Sequence, residues 1–264
     1  MAASRWRYYL GSIPTLLRGV RNWPLLPALL ARWPLRQPVL EVRAAGGLRF
    51  RVRSFMDAWI IKETCLDRDY ERIGVPLQPD WTVVDVGAGL GDFTVLAARC
   101  CPRGVVHAYE PFPESFALLQ ENIRLNGLTN VRAFPKAVGG AGADSLTLYA
   151  TGAAVQHRTA GAAAAEPAIV VGSLTLAAVL ADLPRCDLLK LDVEGAEYEI
   201  LFTAEAAALA KVRRLSMEVH DGVTAHTRAD LARFLQERGF QVNVRPNPVH
   251  AHLGFLYATQ PEAG

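Results

Sequence analysis

No two cysteines in this chain stand at metal-ligating or redox spacing. There are four, Cys65, Cys100, Cys101 and Cys186, with no CxxC pair and no zinc-type ladder. Structural zinc and a thioredoxin-like dithiol are thereby excluded. Adjacent Cys100 and Cys101 fall inside a helical pattern, so a reducing compartment, the cytoplasm, is the simplest expectation. A long apolar run is also missing. Leu25 to Leu30 is too short to span a bilayer, is broken by Pro27 and is flanked by Arg21 and Arg32, so neither a signal peptide nor a transmembrane helix is expected. Net charge is close to absent at +2, which removes a general electrostatic grip on nucleic acid. Internal repeats are absent as well.

The near-zero charge conceals an asymmetry. Residues 1–53 hold ten arginines against one acid, Glu41. With Trp6, Tyr8, Tyr9, Trp23 and Trp33, this arm has two readings. It packs an apolar face on its own domain or on a dimer mate, or it rests peripherally on an anionic membrane. The first is favoured, because Pro24 and Pro27 break any long amphipathic helix and the leucines between them need cover. Oligomeric state is left open.

What the chain does have is Asp85-Val86-Gly87-Ala88-Gly89-Leu90-Gly91-Asp92. Apolar Val83, Val84 and Val86 form a buried strand that ends in a glycine turn and opens into a helix through Val95, Leu96, Ala97 and Ala98. A dinucleotide fingerprint would need glycine at position 92, where Asp92 stands, so a nicotinamide-linked oxidoreductase is disfavoured. Acids on both sides of the turn repel a pyrophosphate and suit a ligand that carries ammonium and sulfonium charge. The run resembles motif I of the class I S-adenosylmethionine (SAM) methyltransferases. A second strand, Val105 to Tyr109, ends on Glu110-Pro111. There Glu110 is placed to accept from ribose hydroxyls, and Pro111 stops the strand.

The pattern along the chain predicts two short helices within about 11–34 and a hairpin of 39–42 with 48–52 around Ala45-Gly46-Gly47. A helix over about 56–74 follows. A βα series comes next: strand 83–86, helix 91–101, strand 105–109, helix 113–126 and strand 131–134. Segment 139–174 interrupts the rhythm with two strands (Leu146 to Tyr149, Ile169 to Val171) about an alanine- and glycine-rich loop, Gly152–Ala165. Alternation resumes with helix 174–181, strand 187–191, helix 195–208, strand 213–219, helix 227–238 and strands 240–244 and 254–259. The expected fold is α/β, a Rossmann-like doubly wound seven-stranded sheet over 75–264, with an N-terminal helical and hairpin extension over 1–74.

A second informative run is Lys190-Leu191-Asp192-Val193-Glu194-Gly195-Ala196-Glu197. If the strand stays extended through Val193, period two puts Lys190, Asp192 and Glu194 on one side at the carboxyl end, where open α/β sheets bind ligands. Three ionisable groups in one cluster point to proton transfer or ligation, against a salt-bridged strand end. Together with the glycine loop, Glu110-Pro111 followed by Leu119 and Asn122, and Glu218-Val219-His220, this run is similar to the FkbM-type methyltransferase family over about 81–260. That resemblance implies SAM as cofactor and, in most members, O-methylation of sugar or natural-product hydroxyls. It further implies Asp85, Gly87, Ala88, Gly89 and Gly91 near the methionine part, Glu110 on the ribose, and a Lys136-Ala137-Val138 turn beside adenine. The chain departs at Gly89, where the family often has asparagine.

Methyl transfer to a hydroxyl gains from a general base. Asp192 is the first candidate, with Glu194 as partner and Lys190 as a tuning charge, and His220 is the alternative. Asp192, Glu194, Glu218 and His220 would suit a divalent ion if they converged, but their spacing matches no ligand motif and no metal is expected. His250 and His252 read as exposed loop residues. The [D/N/S]-P-P-[Y/F/W] tetrapeptide of base-directed methyltransferases is lacking after residue 190, so the expected acceptor is a small molecule or glycan and not nucleic acid. The alternative function is a non-catalytic module that keeps the SAM fold for binding or assembly.

Overall fold

The computed structural model describes residues 2–31, 39–72, 74–142, 144–150, 157–158, 168–247 and 249–261. Arg32, Trp33, Arg36 and, apart from His157–Arg158, the Gly152–Ala165 loop lie outside the described residues. So do the side chains of Arg5, Trp6 and Arg7.

Helices α1 (Ala2–Gly19) and α2 (Leu25–Ala31) open the chain, and strands β1 (Leu40–Arg43) and β2 (Arg49–Val52) pair antiparallel around a single 3-10 turn. The arm docks on its own chain. Leu16, Val20, Leu26 and Leu29 are buried in one cluster with Val42, Phe50 and Val52 of the hairpin and with Val95, Leu96 and Leu118 of the domain beyond. Asn22 Nδ2 donates to the Glu41 carbonyl at 2.7 Å, and Arg43 N donates back to Asn22 Oδ1 at 2.9 Å. The extension therefore shares a core with residues past 75. The outer face of α1 leaves Leu10, Ile13 and Leu17 exposed.

The helix expected over 56–74 is instead three pieces. α3 (Phe55–Ile61) is capped by Ser54, whose Oγ accepts from Asp57 N at 3.1 Å. A π-helical turn, Lys62–Asp67, follows, and Arg68 at φ 61° ends it before α4 (Asp69–Arg72). Within that turn Lys62 is buried, donating to Ser12 Oγ at 2.8 Å and pairing with Asp67 at 2.6 Å. Satisfying a buried ammonium dictates the local winding where an amphipathic pattern shows only a continuous helix.

From β3 (Thr82–Val86) the βα series runs as expected through α5 (Asp92–Cys100), β4 (Val105–Tyr109), α6 (Pro113–Leu125) and β5 (Val131–Phe134). Next come β6 (Ala137–Gly139), β7 (Ser145–Ala150), β8 (His157–Arg158), β9 (Ala168–Thr175) and α7 (Leu176–Leu180). The chain then forms β10 (Leu188–Leu191), α8 (Glu197–Phe202), α9 (Ala206–Ala210), β11 (Arg214–His220), α10 (Arg228–Gln236), β12 (Gln241–Pro246) and β13 (Leu253–Thr259). The expected helix 195–208 is thus two helices, parted at Thr203 to Glu205.

Seven strands form one sheet in the order β12-β13-β11-β10-β3-β4-β5, all parallel except β13, which runs antiparallel to both neighbours. The strand order reverses between β3 and β10. Such a switch point opens a crevice at the carboxyl ends of the two strands. Register seats Asp85 of β3 beside Lys190 of β10, and Lys190 beside Ser216 of β11. Residues 137–139 are a correction: where a Lys136-Ala137-Val138 turn is expected there is strand β6, buried and paired parallel with β9 in a separate four-stranded sheet. Ala137 and Val138 point into packing, and Val138 belongs to the main core. Among the described residues no helix is long and apolar enough to cross a membrane, and the four cysteines are free thiols.

Candidate active site

Glycine is required in the turn after β3 for a specific reason. A Cβ on Gly87 would lie 1.8 Å from the Asp192 carbonyl oxygen, so the two loops at the switch point touch backbone to backbone. Gly89, at φ 56°, faces the other way: a Cβ there meets nothing within 4 Å. The crest of the loop thus borders open space, while Gly87 and Ala88 both donate to the Tyr109 carbonyl at 3.0 Å and hold the loop on β4. Gly91 packs on Leu119 of α6.

Asp85 lies beneath this loop and is fully buried. Thr94 Oγ1 donates to its Oδ2 at 2.5 Å, and Lys190 Nζ stands 3.1 Å from Oδ1. The same ammonium donates to the Gly87 carbonyl at 2.8 Å. Burial pulls the Lys190 pKa down, but the carboxylates of Asp85, Asp192 and Asp92 outweigh it and hold the group above the ordinary lysine range. Lys190 is therefore a fixed cation that braces the loop. Asp92, the residue that replaces the fingerprint glycine, is pushed up to about 6 by burial, offset in part by Lys190.

At the tip of β4, Glu110 accepts from Gly89 N at 2.7 Å on one oxygen and from Phe112 N at 2.8 Å on the other. It is 5% exposed, and burial pushes its carboxyl up to about 7 against the two N–H donors. Pro111, half-buried, ends the strand and turns the chain into α6.

Past β10 the chain does not stay extended. Glu194 takes φ 52° and Gly195 φ 106°, so Lys190, Asp192 and Glu194 do not line one edge in a row. Asp192 turns toward Tyr70 of α4, whose hydroxyl donates to Oδ2 at 2.7 Å, and its carboxylate lies 3.9 Å from Lys190. Tyr70 is itself held by Ser216, which donates to its carbonyl at 2.7 Å, and by edge-on contact with Phe93. Burial and the charges of Asp192 and Glu218 keep the phenol well above its usual pKa, so it remains a donor.

Glu194 is swung instead to His220, with Oε2 3.4 Å from Nε2. Glu197, fully buried at the start of α8, takes the other ring nitrogen: Oε1 lies 2.9 Å from Nδ1 and also accepts from Val193 N and Gly195 N at 3.3 Å. Burial lowers the His220 pKa, yet Glu197, Asp192 and Glu194 outweigh it and raise it to about 10. The anionic neighbours thus favour the protonated ring. Glu218, two residues before on the same strand face, is pushed up to about 8 by burial and by Asp192. One ligand atom each from Asp192, Glu218 and His220 lie within 4.8 Å of one another. Spacing along the chain hid this convergence, because the three come from adjacent strands.

Tyr70 and Glu197 were not assigned roles by the sequence. Glu197 closes the Lys190–Glu197 run and could have been suspected. Tyr70 carries no signal, being one more aromatic in an amphipathic stretch. His250 and His252 contact each other edge to face, and their loop joins the top of β11 through Asp221 N to the His252 carbonyl at 2.8 Å.

A family model described as the methyltransferase FkbM domain matches residues 85–242. The chain is 30% identical over 226 residues to the 31-O-demethyl-FK506 methyltransferase FkbM of Streptomyces tacrolimicus, covering 73% of this chain and 85% of that protein. Identity to the hexuronic acid methyltransferase AglP of Haloferax volcanii is 26% over 212 residues, covering 77% and 82%. A third match, 29% identical over 248 residues, is to the AMB antimetabolite synthetase AmbE of Pseudomonas aeruginosa. It takes in 78% of this chain but spans only 12% of that relative.

Proposed function

This chain belongs to the FkbM methyltransferase family, and we propose that it moves the methyl group of SAM onto a hydroxyl oxygen of a sugar, glycan or natural product. The observation that carries this reading is the half-exposed Asp192 carboxylate beside the glycine loop, fixed by Tyr70 and flanked by Glu218. The residues fit SAM. The crest at Gly89 borders open space, Glu110 presents a buried acid at the edge of the same turn, and the surrounding acids suit a cationic ligand.

When bound, SAM supplies the electrophilic methyl and its own leaving group. The chain positions the acceptor and receives the proton. Transfer to a hydroxyl would release S-adenosylhomocysteine and leave the hydroxyl proton for a residue of this chain to take. Asp192 is the base in this reading. An imidazolium has no lone pair to offer, so His220 orients Glu194 and lends positive charge. Lys190 keeps the loop and the Asp192 turn together. The acceptors named for the relatives, 31-O-demethyl-FK506 and a hexuronic acid, support a hydroxyl-bearing acceptor. Two charged strand ends built around one crevice weigh against a purely non-catalytic module.

The test is thermal shift followed by turnover. SAM and S-adenosylhomocysteine should raise the melting temperature and NADH should not. Mixtures of hydroxylated sugars and polyketides should then yield S-adenosylhomocysteine in step with a methyl ether. Equal stabilisation by NADH would overturn the cofactor assignment, and methylation confined to nitrogen acceptors would overturn the hydroxyl.

A further inference from the structure

The geometry points to a divalent cation site of the Mn2+ or Mg2+ class, formed by Asp192, Glu218 and the Nε2 atom of His220. The donor set is the first ground. Two carboxylate oxygens and one imidazole nitrogen, all within 4.8 Å of one another, enclose a point at metal–ligand range. Hard divalent ions take such ligands at about 2.0–2.6 Å. Mixed oxygen and nitrogen donors with no thiolate favour this class over softer metals.

The second ground is independent of the acids in the cluster. His220 is 6% exposed and its ring cannot choose its orientation. Glu197, outside the cluster and fully buried, is pinned by the Val193 and Gly195 amides and takes Nδ1 at 2.9 Å. A carboxylate only accepts, so Nδ1 carries a proton and Nε2 is the nitrogen left to ligate. A buried carboxylate behind a histidine is the support that ligating histidines need, since it fixes tautomer and direction and raises the basicity of the far nitrogen. Glu194, with Oε2 3.4 Å from Nε2, stands within reach of the same ion as a further oxygen donor.

The neighbouring ammonium does not fill the site. Lys190 lies 3.9 Å from Asp192 but is committed to Asp85 at 3.1 Å and to the Gly87 carbonyl at 2.8 Å, beneath the loop. Asp192 and Glu218 are half-buried, so an ion entering from the crevice keeps coordination positions open to water or an acceptor. Binding replaces the proton on Nε2 and the proton on the Glu218 carboxyl, both lost to solvent, with metal–ligand bonds. An acceptor hydroxyl on an open position would lose its proton more readily to Asp192 or water. That last role rests on the hydroxyl-acceptor reading; the ion site itself does not.

Chelator-stripped protein titrated with Mn2+, with free ion followed by electron paramagnetic resonance, tests the site without activity. One Mn2+ per chain is expected, competed by Mg2+. Asp192→Asn and Glu218→Gln, which keep size and fold, should abolish binding, and Glu197→Gln should weaken it by about 10–100-fold through the ring. An exposed control, Glu237→Gln, should bind as the parent does. No Mn2+ uptake by the parent, or uptake unchanged in both ligand variants, would overturn the proposal. Full methyl transfer in excess EDTA would overturn the ion's part in proton loss while leaving the methyltransferase intact. Stoichiometric Mn2+ binding lost in the ligand variants, with no hydroxyl ever methylated, would keep the ion and sink the acceptor assignment instead.

Discussion

Lys190→Met removes the ammonium that lies beneath the glycine loop. Asp85 is then left fully buried with Thr94 as its hydrogen-bond donor, and the Gly87 carbonyl loses a donor at 2.8 Å. Breaking a buried ion pair from one side costs about 3–5 kcal/mol, because the surviving charge keeps its desolvation penalty. Against a total stability of about 5–15 kcal/mol this is a severe loss. The urea midpoint should fall accordingly, and SAM affinity should fall with it, since the loop is braced at Gly87. Replacing both partners, Asp85→Leu with Lys190→Met, should recover most of the stability, since an apolar pair of similar volume carries no stranded charge. The reasoning fails if the single variant loses less than about 1 kcal/mol, the range of an exposed pair. A double variant no more stable than the single would refute it equally.

Four further outcomes follow from the same geometry. Glu110→Ala should weaken SAM binding by about 1.5–3 kcal/mol in calorimetry if ribose contacts are made; unchanged affinity removes Glu110 from the cofactor site. Asp192→Asn should lower turnover by roughly 10²-fold with SAM affinity retained, and a variant that keeps most of its turnover while His220→Ala loses it reverses the two roles. Stability of the metal-free protein should decline as pH rises. Glu218, raised from 4.5 to about 8, holds a proton that the unfolded chain releases across that window. His220, raised from 6.5 to about 10, contributes fully below 6.5 and loses its contribution as pH passes through about 10, so His220→Gln should flatten the upper limb of the denaturation profile. Deleting residues 2–31 should lower the melting temperature or solubility, since it strips Leu16, Val20, Leu26 and Leu29, worth about 1.5–3 kcal/mol each when fully buried, from a shared core. Salt-sensitive sedimentation with anionic vesicles, lost on deletion, would mark the arm as a membrane tether instead.

Local pattern carried the sheet. Strand 105–109 stands where period and punctuation put it, because a strand buried between helix layers reads as a bare apolar run bounded by glycine and proline, and 131–134 follows on the sheet edge. The failures share a different cause. Lys62 winds its turn into a π-helix for the sake of Ser12 and Asp67, and Ala137 and Val138 become a strand because β9, some 30 residues later, offers an edge. In both places a distant partner overrides the local preference, and no window of sequence contains it.

The candidate site divides the same way. Motif residues at the switch point were legible because two backbones meet there and only glycine tolerates the approach of Gly87 to Asp192. Roles were less legible, because a role is set by neighbours. The state of the His220 ring is set by Glu197, which is pinned by two amides and takes Nδ1. Tyr70 reaches Asp192 across 122 positions, from a four-residue helix in the extension, and holds one of its two oxygens. The extension therefore does more than cover apolar surface. Its Tyr70 hydroxyl occupies Asp192 Oδ2, which on the proposed reading leaves Oδ1 for the acceptor. Tyr70→Phe is accordingly expected to lower kcat more than SAM affinity while the hairpin core stays folded.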